Sequence, residues 1–292
     1  MTRRDQPLHQ DASVISEIVQ LSESARTPTT DRLAVEEPLE IRLGPEPLAV
    51  TMRTPGDDAE LAAGFCLTEG IITSPDDLEQ IEACSEAEHG NVIVVTLPDD
   101  VLQRRAEQVE KARRELYLSS SCGLCGKASL DRIAQDVPPL RGDFQVRGEL
   151  LASLPQRMRE AQRTFEETGG LHAAALFRPE GELLVLREDV GRHNAVDKVI
   201  GAMLLAGMVP VDPAILLVSG RASFEIMQKA ALAGICCVAA ISAPSSLAVE
   251  FARRFGMSLV GFLRPGRMNI YHETGRIVDE TGLSNTSFFA GR

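Results

Sequence analysis

Two cysteines three residues apart, in Ser119-Ser120-Ser121-Cys122-Gly123-Leu124-Cys125-Gly126, are the most reactive feature of the chain. The serines and glycines leave both sulfurs accessible, and Lys127 with a helix start behind the loop would favour a thiolate, the nucleophilic form. Four readings fit the residues. A zinc half-site needs further ligands from Cys66, Cys84, Cys236, Cys237 or five scattered His, and none of these forms a second knuckle. A thioredoxin-like redox pair belongs between a strand and a helix, whereas a long charged helix and a serine run stand before this one. A nucleophilic cysteine that carries sulfur needs only exposure and a lowered pKa. Two ordinary surface thiols are the bland alternative. The other cysteines lie in apolar runs and read as core.

A second set of residues could hold an anion. Glu188-Asp189-Val190-Gly191-Arg192-His193-Asn194, Ser219-Gly220-Arg221, Ser242-Ala243-Pro244-Ser245-Ser246 and Arg264-Pro265-Gly266-Arg267 each follow a strand pattern, and the first three open a helix. In open parallel sheets ligands bind beyond the carboxyl ends of strands. Helix N-termini offer free N–H groups to anions, and Arg192, Arg221, Arg264 and Arg267 add charge suited to phosphate. One such loop is more often a plain turn; four at corresponding positions point to a site. His172, in Thr168-Gly169-Gly170-Leu171-His172-Ala173-Ala174-Ala175, leads into a strand and has a structural reading too. A zinc nucleoside deaminase has a Glu two residues after its His; here that position is Ala174, so deaminase chemistry is not expected.

The elements that must position these groups follow from periodicity. Residues 1–30 are polar and read as a disordered tail. Proline-broken strands follow from Arg32 to Arg53, then a helix over Asp57–Ile72, a helix start at Ser74-Pro75-Asp76-Asp77, a strand over Asn91–Leu97 and a helix over Asp100–Leu116. These make an N-terminal α+β region over 31–140, ending in the cysteine loop, a short helix over Lys127–Ala134 and the proline-bearing boundary Asp136–Gly142. The rest, 141–292, starts with a helix over Ser153–Glu167 and a hairpin of Leu171–Phe177 with Glu182–Arg187. A helix follows His193. Ala214–Val218, Phe224–Ala233, Cys236–Ile241, Leu247–Phe255 and Leu259–Leu263 then alternate strand and helix, the pattern of a parallel sheet.

Composition bounds the rest. The 292 residues are 44% apolar and 25% charged, ample for a core. The net charge of −12, with no Trp and two Tyr, argues against nucleic acid. Residues 212–292 carry +2, so a compact anion could still be held there. No run approaches the roughly 18 apolar residues of a membrane span, and Glu17 breaks Val14–Leu21, the only stretch that could serve a secretory signal. The expectation is a cytoplasmic protein with reduced thiols.

Together the cysteine loop, Thr168–Ala174, Glu188–Lys198, Ser219–Arg221 and Phe262-Leu263-Arg264-Pro265-Gly266-Arg267 resemble the formate dehydrogenase accessory sulfurtransferase family (FdhD) from about Arg32 onward. The resemblance implies a C-terminal cytidine-deaminase-like three-layer α/β/α domain without zinc, beside a smaller N-terminal α+β domain. It implies that Cys122 accepts a persulfide sulfur from a cysteine desulfurase; by thiol chemistry Cys125 could relay that sulfur or release it by forming a disulfide with Cys122. The sulfur would pass to the molybdenum bis(molybdopterin guanine dinucleotide) cofactor, a bound substrate, before insertion into the formate dehydrogenase catalytic subunit. Phe262, Leu263, Arg264, Pro265, Gly266 and Arg267 would contact that cofactor, with Gly191, Arg192, His193, Ser219, Gly220, Arg221 and His172 as further contacts. The expected assembly is a homodimer, with no resident metal and no membrane partner. Two other functions fit the residues: a cofactor-holding chaperone that does no sulfur chemistry, and a redox protein switched by Cys122 and Cys125.

Overall fold

The computed structural model describes residues 11–22, 25–84, 91–118, 137, 140 and 142–279. The helix expected over Lys127–Ala134 and the whole cysteine loop lie outside them.

Its centre is a six-stranded sheet in the order β13-β12-β11-β10-β8-β9. The strands are β8 (His172–Phe177), β9 (Leu183–Asp189), β10 (Ile215–Val218), β11 (Cys237–Ala240), β12 (Ser258–Arg264) and β13 (Arg267–His272). β10, β11 and β12 are parallel neighbours; β8 runs antiparallel to β10 and to β9, and β13 antiparallel to β12. β9 therefore runs the same way as β10, β11 and β12.

Side chains alternate across this sheet, as the two-residue strand period requires. Ala174, Leu176, Leu216, Val218, Val238, Ala240 and Leu259 enter one core. Ala173, Ala175, Phe177, Ile215, Leu217, Cys237, Ala239 and Val260 enter a second. Both faces are thus covered, which is why β10 and β11 read as continuous apolar runs. The second core is closed by a long helix, Gly148–Ala161, through Leu151, Leu154 and Met158, and by Val146 and Ile277 of a two-stranded parallel pair, β7 (Val146–Arg147) with β14 (Ile277–Val278). Helices and sheet form three layers.

The N-terminal part holds a four-stranded sheet ordered β4-β3-β6-β5, from β3 (Glu37–Leu43), β4 (Glu46–Arg53), β5 (Gln80–Ala83) and β6 (Val92–Thr96). With it come α1 (Asp58–Thr68), α2 (Asp99–Arg104) and α3 (Ala106–Leu118). The single helix expected over Asp100–Leu116 is thus broken at Arg105. Ser74 caps only one 3-10 turn, Pro75–Asp77, through a complete capping box.

The helix after Gly148 is α4, and α5 (Arg163–Thr168) follows it after a break at Gln162. Beyond β9 come α6 (Arg192–Leu205), α7 (Phe224–Leu232) and α8 (Ser246–Phe255). α1 crosses α6 at glycines: a Cβ on Gly64 would lie 1.8 Å from the Asp197 carbonyl oxygen, and one on Gly201 1.8 Å from that of Glu60. Leu39, Ile41, Leu61 and Val95 consequently share one core with Val199, Leu216 and Phe251.

The expected tail over 1–30 is corrected over its second half. β1 (Ser13–Leu21) and β2 (Arg26–Ala34) pair antiparallel along their whole length. Val14, Ile15, Ile18, Val19 and three threonines favour strand, but the ribbon covers little core, so its sequence looks polar. Arg32 ties it to Glu167 of α5 at 3.1 Å in an exposed ion pair, worth little by itself. Among the described residues no helix is long and apolar enough to cross a membrane.

Candidate functional site

Because β9, β10, β11 and β12 run in one direction, their carboxyl ends and the start of β8 share one edge of the sheet. Main-chain bonds tie the loops there into a row. Ser219 N–H donates to the Ala173 carbonyl at 2.9 Å, Ser242 N–H to Gly220 at 3.4 Å and Phe262 N–H to Ser242 at 3.0 Å. The His172 ring lies over Gly220: a Cβ there would sit 3.6 Å from His172 Nδ1 and 3.8 Å from Arg192 Cδ. Gly261 makes room beside Pro244, whose Cδ would lie 2.8 Å from an added Cβ. The edge therefore gathers His172, Arg192, Gly220, Ser242 and Phe262 where α6, α7 and α8 begin.

Phe262 adopts φ 51° and is 40% exposed. A bulky residue there is strained, and the strain turns an aromatic ring out at the end of the row. Pro265 and Gly266, with Gly266 at φ 70°, turn β12 into β13, which pair at Arg264 and Arg267. Arg264 Nη1 donates to the Ile241 carbonyl at 2.6 Å and to Leu263 at 2.8 Å, holding its exposed guanidinium beside the row. Arg221 and Arg267 are exposed at the same edge.

Most of the stretch Glu188–Lys198 has structural employment. Glu188 accepts from the N–H groups of Thr164 and Phe165, at 2.9 and 2.8 Å, at the N-terminus of α5. Asp189 and Lys198 are a buried ion pair at 2.8 Å. Asp197 pairs with Lys229 of α7 at 2.9 Å and accepts from Thr68 Oγ1 at 2.8 Å. Asn194 donates to the Met52 carbonyl at 2.8 Å and to Asp189 at 3.0 Å. Arg192 and His193 remain. Arg192 Nε is buried with no hydrogen-bond partner among the described residues. His193 Nε2 lies 3.5 Å from Ser223 Oγ. Burial, then the Arg192 and Lys229 charges, push the His193 pKa down to about 4, against Glu225. Burial and Arg192 likewise lower that of His172, against Asp189. Both imidazoles are therefore neutral at pH 7, able to donate or accept one hydrogen bond at each nitrogen.

The sequence-predicted residues divide by what their side chains do. His172, Arg192, Gly220, Phe262 and Arg264 converge. Ser219 accepts from the Ala173 N–H at 2.9 Å and shapes the turn. A Cβ on Gly191 would lie 2.9 Å from Asn194 Nδ2, so a larger residue there would press on the side chain that bonds Met52 and Asp189. Leu263 sends its side chain into the second core at 0% exposure, so only its main chain faces the edge. Cys66, Cys236 and Cys237 are core, as their apolar settings suggest, while Cys84 is half-buried. Burial pushes Cys66 and Cys237 up to about 12 and Cys236 to about 11, which makes them poor nucleophiles. Cys122 and Cys125 lie outside the described residues. Among the described residues no group of His, Cys, Asp and Glu could hold a metal. Sequence reasoning missed Thr54, Lys229 and Glu225; the one available signal was a lysine inside the apolar helix Phe224–Ala233.

Residues 34–278 match the FdhD/NarQ family, from the last residue of β2 to the end of β14. The chain belongs to this family. A Streptomyces avermitilis protein named "Sulfur carrier protein FdhD" is 51% identical over 278 residues, covering 89% of this chain and 94% of that one. Its namesake in Mycobacterium tuberculosis is 47% identical over 257 residues, covering 85% and 92%. A solved structure from Desulfotalea psychrophila, provisionally described as a formate dehydrogenase accessory protein, superposes with a TM-score of 0.73. It is 26% identical and covers 92% of this chain and 100% of that one.

Proposed function

We propose that the chain is a cytoplasmic sulfur carrier for formate dehydrogenase maturation. Cys122 takes the outer sulfur of a cysteine desulfurase persulfide and passes it to the molybdenum bis(molybdopterin guanine dinucleotide) cofactor, the substrate held at the strand-end edge. The carrier works as a homodimer, and its six-stranded layer is a cytidine-deaminase-like domain without zinc. Membership of the FdhD/NarQ family and the names of the relatives support the sulfur-carrier part. One observation supports the substrate part: the sheet edge that gathers Arg192, Arg221, Arg264 and Arg267 also gathers the starts of α6, α7 and α8, so fixed charge and free N–H groups meet a phosphate-bearing ligand together.

The chemistry balances with the pair Cys122 and Cys125. The Cys122 thiolate attacks the outer sulfur of the donor persulfide; a new S–S bond forms, and the donor leaves as a thiolate. Cys125 then attacks the inner sulfur, the Cys122–Cys125 disulfide forms, and the outer sulfur departs as sulfide toward the cofactor. A cellular dithiol returns the pair to thiols.

The deciding experiment is a mass spectrum of the protein after incubation with desulfurase and cysteine. One extra sulfur on the peptide bearing Cys122 is expected; its absence refutes the carrier reading. For the substrate, calorimetry with GDP is expected to show binding that weakens on Arg264→Ala. No heat with GDP, or equal binding of ADP, refutes the guanine dinucleotide.

A further inference from the structure

β4 ends where the ligand edge begins. Thr54, the residue after β4, is 2% exposed, and all of its polar groups are engaged by the segment Asp189–Lys198. Its N–H donates to Asp189 Oδ2 at 3.2 Å, its carbonyl accepts from Lys198 Nζ at 2.9 Å, and its Oγ1 accepts from the Val190 N–H at 3.1 Å. Asp189 and Lys198 are themselves paired at 0% and 1% side-chain exposure. Asn194 adds a second anchor, with Thr51 Oγ1 donating to its Oδ1 at 3.2 Å and its Nδ2 donating to the Met52 carbonyl at 2.8 Å. Gly191, Arg192 and His193 are thus strung between two points fixed to one strand of the N-terminal sheet. That strand also packs beside α3, whose sequence runs on toward Cys122.

We propose that Thr54 is a positioning residue for the ligand edge, fixing Arg192 and His193 against the anionic groups of a phosphate-bearing ligand. The inference rests on the reading of that edge as a nucleotide site. The Val190 N–H is the last main-chain donor before Gly191, and Thr54 Oγ1 is its acceptor. Without that acceptor the Val190 N–H is left unpaired and the loop is held by fewer ties, the Gly191 N–H keeping its bond to Asp189 Oδ1 at 2.7 Å, so the Arg192 guanidinium gains freedom to turn and His193 to hydrate. Bonds to a fully paired, buried ion pair rigidify this junction between the two sheets.

The test uses the full chain and Thr54→Val, which keeps the side-chain volume and both main-chain bonds but removes Oγ1. Three readouts are compared: GDP affinity by calorimetry, thermal midpoint, and the imidazole titration of His193 by NMR. Arg192, Lys229, His172, Glu225 and Ser223 face that imidazole, and none of them is substituted. Expected are GDP binding weaker by about tenfold, the scale of one buried donor left unpaired, and a His193 titration moved upward from about 4 toward the ordinary histidine range. Thr54→Ser, which restores the hydroxyl, should return both to wild type, a rescue that a packing role alone does not predict. Thr51→Val, at a half-buried site, should weaken GDP binding about twofold through the looser second anchor; it keeps the idea testable if Thr54→Val does not fold. Unchanged GDP affinity and unchanged His193 titration in Thr54→Val overturn the inference, as does failure of Thr54→Ser to rescue. Absence of GDP binding by the wild type sinks the nucleotide reading instead, and the His193 titration alone then decides whether Thr54 sets the loop.

Discussion

Lys229→Met removes one charge from a buried cluster and leaves its partner behind. Lys229 Nζ sits 2.9 Å from Asp197 Oδ2, 2.9 Å from Thr68 Oγ1 and 3.4 Å from Glu69. Burial disfavours its charge, yet the carboxylates of Asp197 and Glu69 outweigh burial and hold its pKa above the usual value. Asp197 is 3% exposed, and burial raises its pKa even with Lys229 and Thr68 opposing. Breaking a buried pair from one side costs about 3–5 kcal/mol, because the remaining charge is uncompensated. A cavity of about 430 Å³, lined by Thr51, Phe65, His193, Glu225 and Lys229, borders the cluster and can admit water to Asp197. That places the loss near the lower figure, about 3 kcal/mol, or on the order of 10 °C in thermal midpoint. The loss must also depend on pH. With Lys229 gone, the folded-state pKa of Asp197 rises further above its unfolded value, so the native state holds a proton that the unfolded chain has released. Stability of the variant then falls as pH rises from the unfolded carboxylate range toward neutrality. Urea unfolding followed by circular dichroism at pH 5 and pH 8 reads both effects. The double variant Lys229→Met with Asp197→Leu should recover most of the loss. A deficit below about 1 kcal/mol, larger at pH 5 than at pH 8, or a double variant worse than the single, refutes the reasoning.

Cys122→Ala should abolish maturation of the client dehydrogenase while the thermal midpoint stays at the wild-type value, and Cys125→Ala should impair it; in-cell formate dehydrogenase activity checks both. Gly201→Ala places a Cβ 1.8 Å from the Glu60 carbonyl oxygen, so the α1–α6 crossing must open, and a loss of about 3 kcal/mol or more is expected in urea unfolding. His193, with its folded pKa lowered to about 4, favours folding above the ordinary histidine range; this contribution disappears as pH falls from about 6.5 through 4, and His193→Asn should flatten that limb of the stability profile. Elemental analysis of the purified protein should show no stoichiometric zinc, since Ala174 stands where a zinc hydrolase needs its proton-moving Glu; one zinc per chain lost on changing His172 or Cys125 would refute this.

What the sequence disclosed depended on how far each residue's partner lay along the chain. Ala214–Val218 and Cys236–Ile241 were legible as strands because continuous apolar runs have few other uses, and both appear as β10 and β11 within a residue or so at either end. Arg267–His272 was not, because an edge strand paired on one side carries mixed polarity, and neither was Gln80–Ala83. At the site, the four strand-end loops were legible as a set, since turn residues and arginines recur at corresponding places. The division of labour inside Glu188–Lys198 was not. Asp189 and His193 look equally available in the sequence. Asp189 is committed to a hydrogen bond with Thr54, 135 residues away, and nothing local distinguishes a carboxylate awaiting a ligand from one already paired. Charged residues in a recurring motif therefore divide only when burial is known. Asp189, Asp197 and Lys198 hold the edge in shape, and this leaves Arg192, whose Nε has no partner among the described residues, as the group in that stretch with capacity for an incoming anion. If that division is right, Arg192→Met should weaken GDP binding with little change in unfolding midpoint, whereas Asp189→Asn should lower the midpoint first and GDP affinity only in consequence. Calorimetry paired with thermal unfolding on both variants separates the two roles; equal stability losses would show that Arg192, too, belongs to the scaffold.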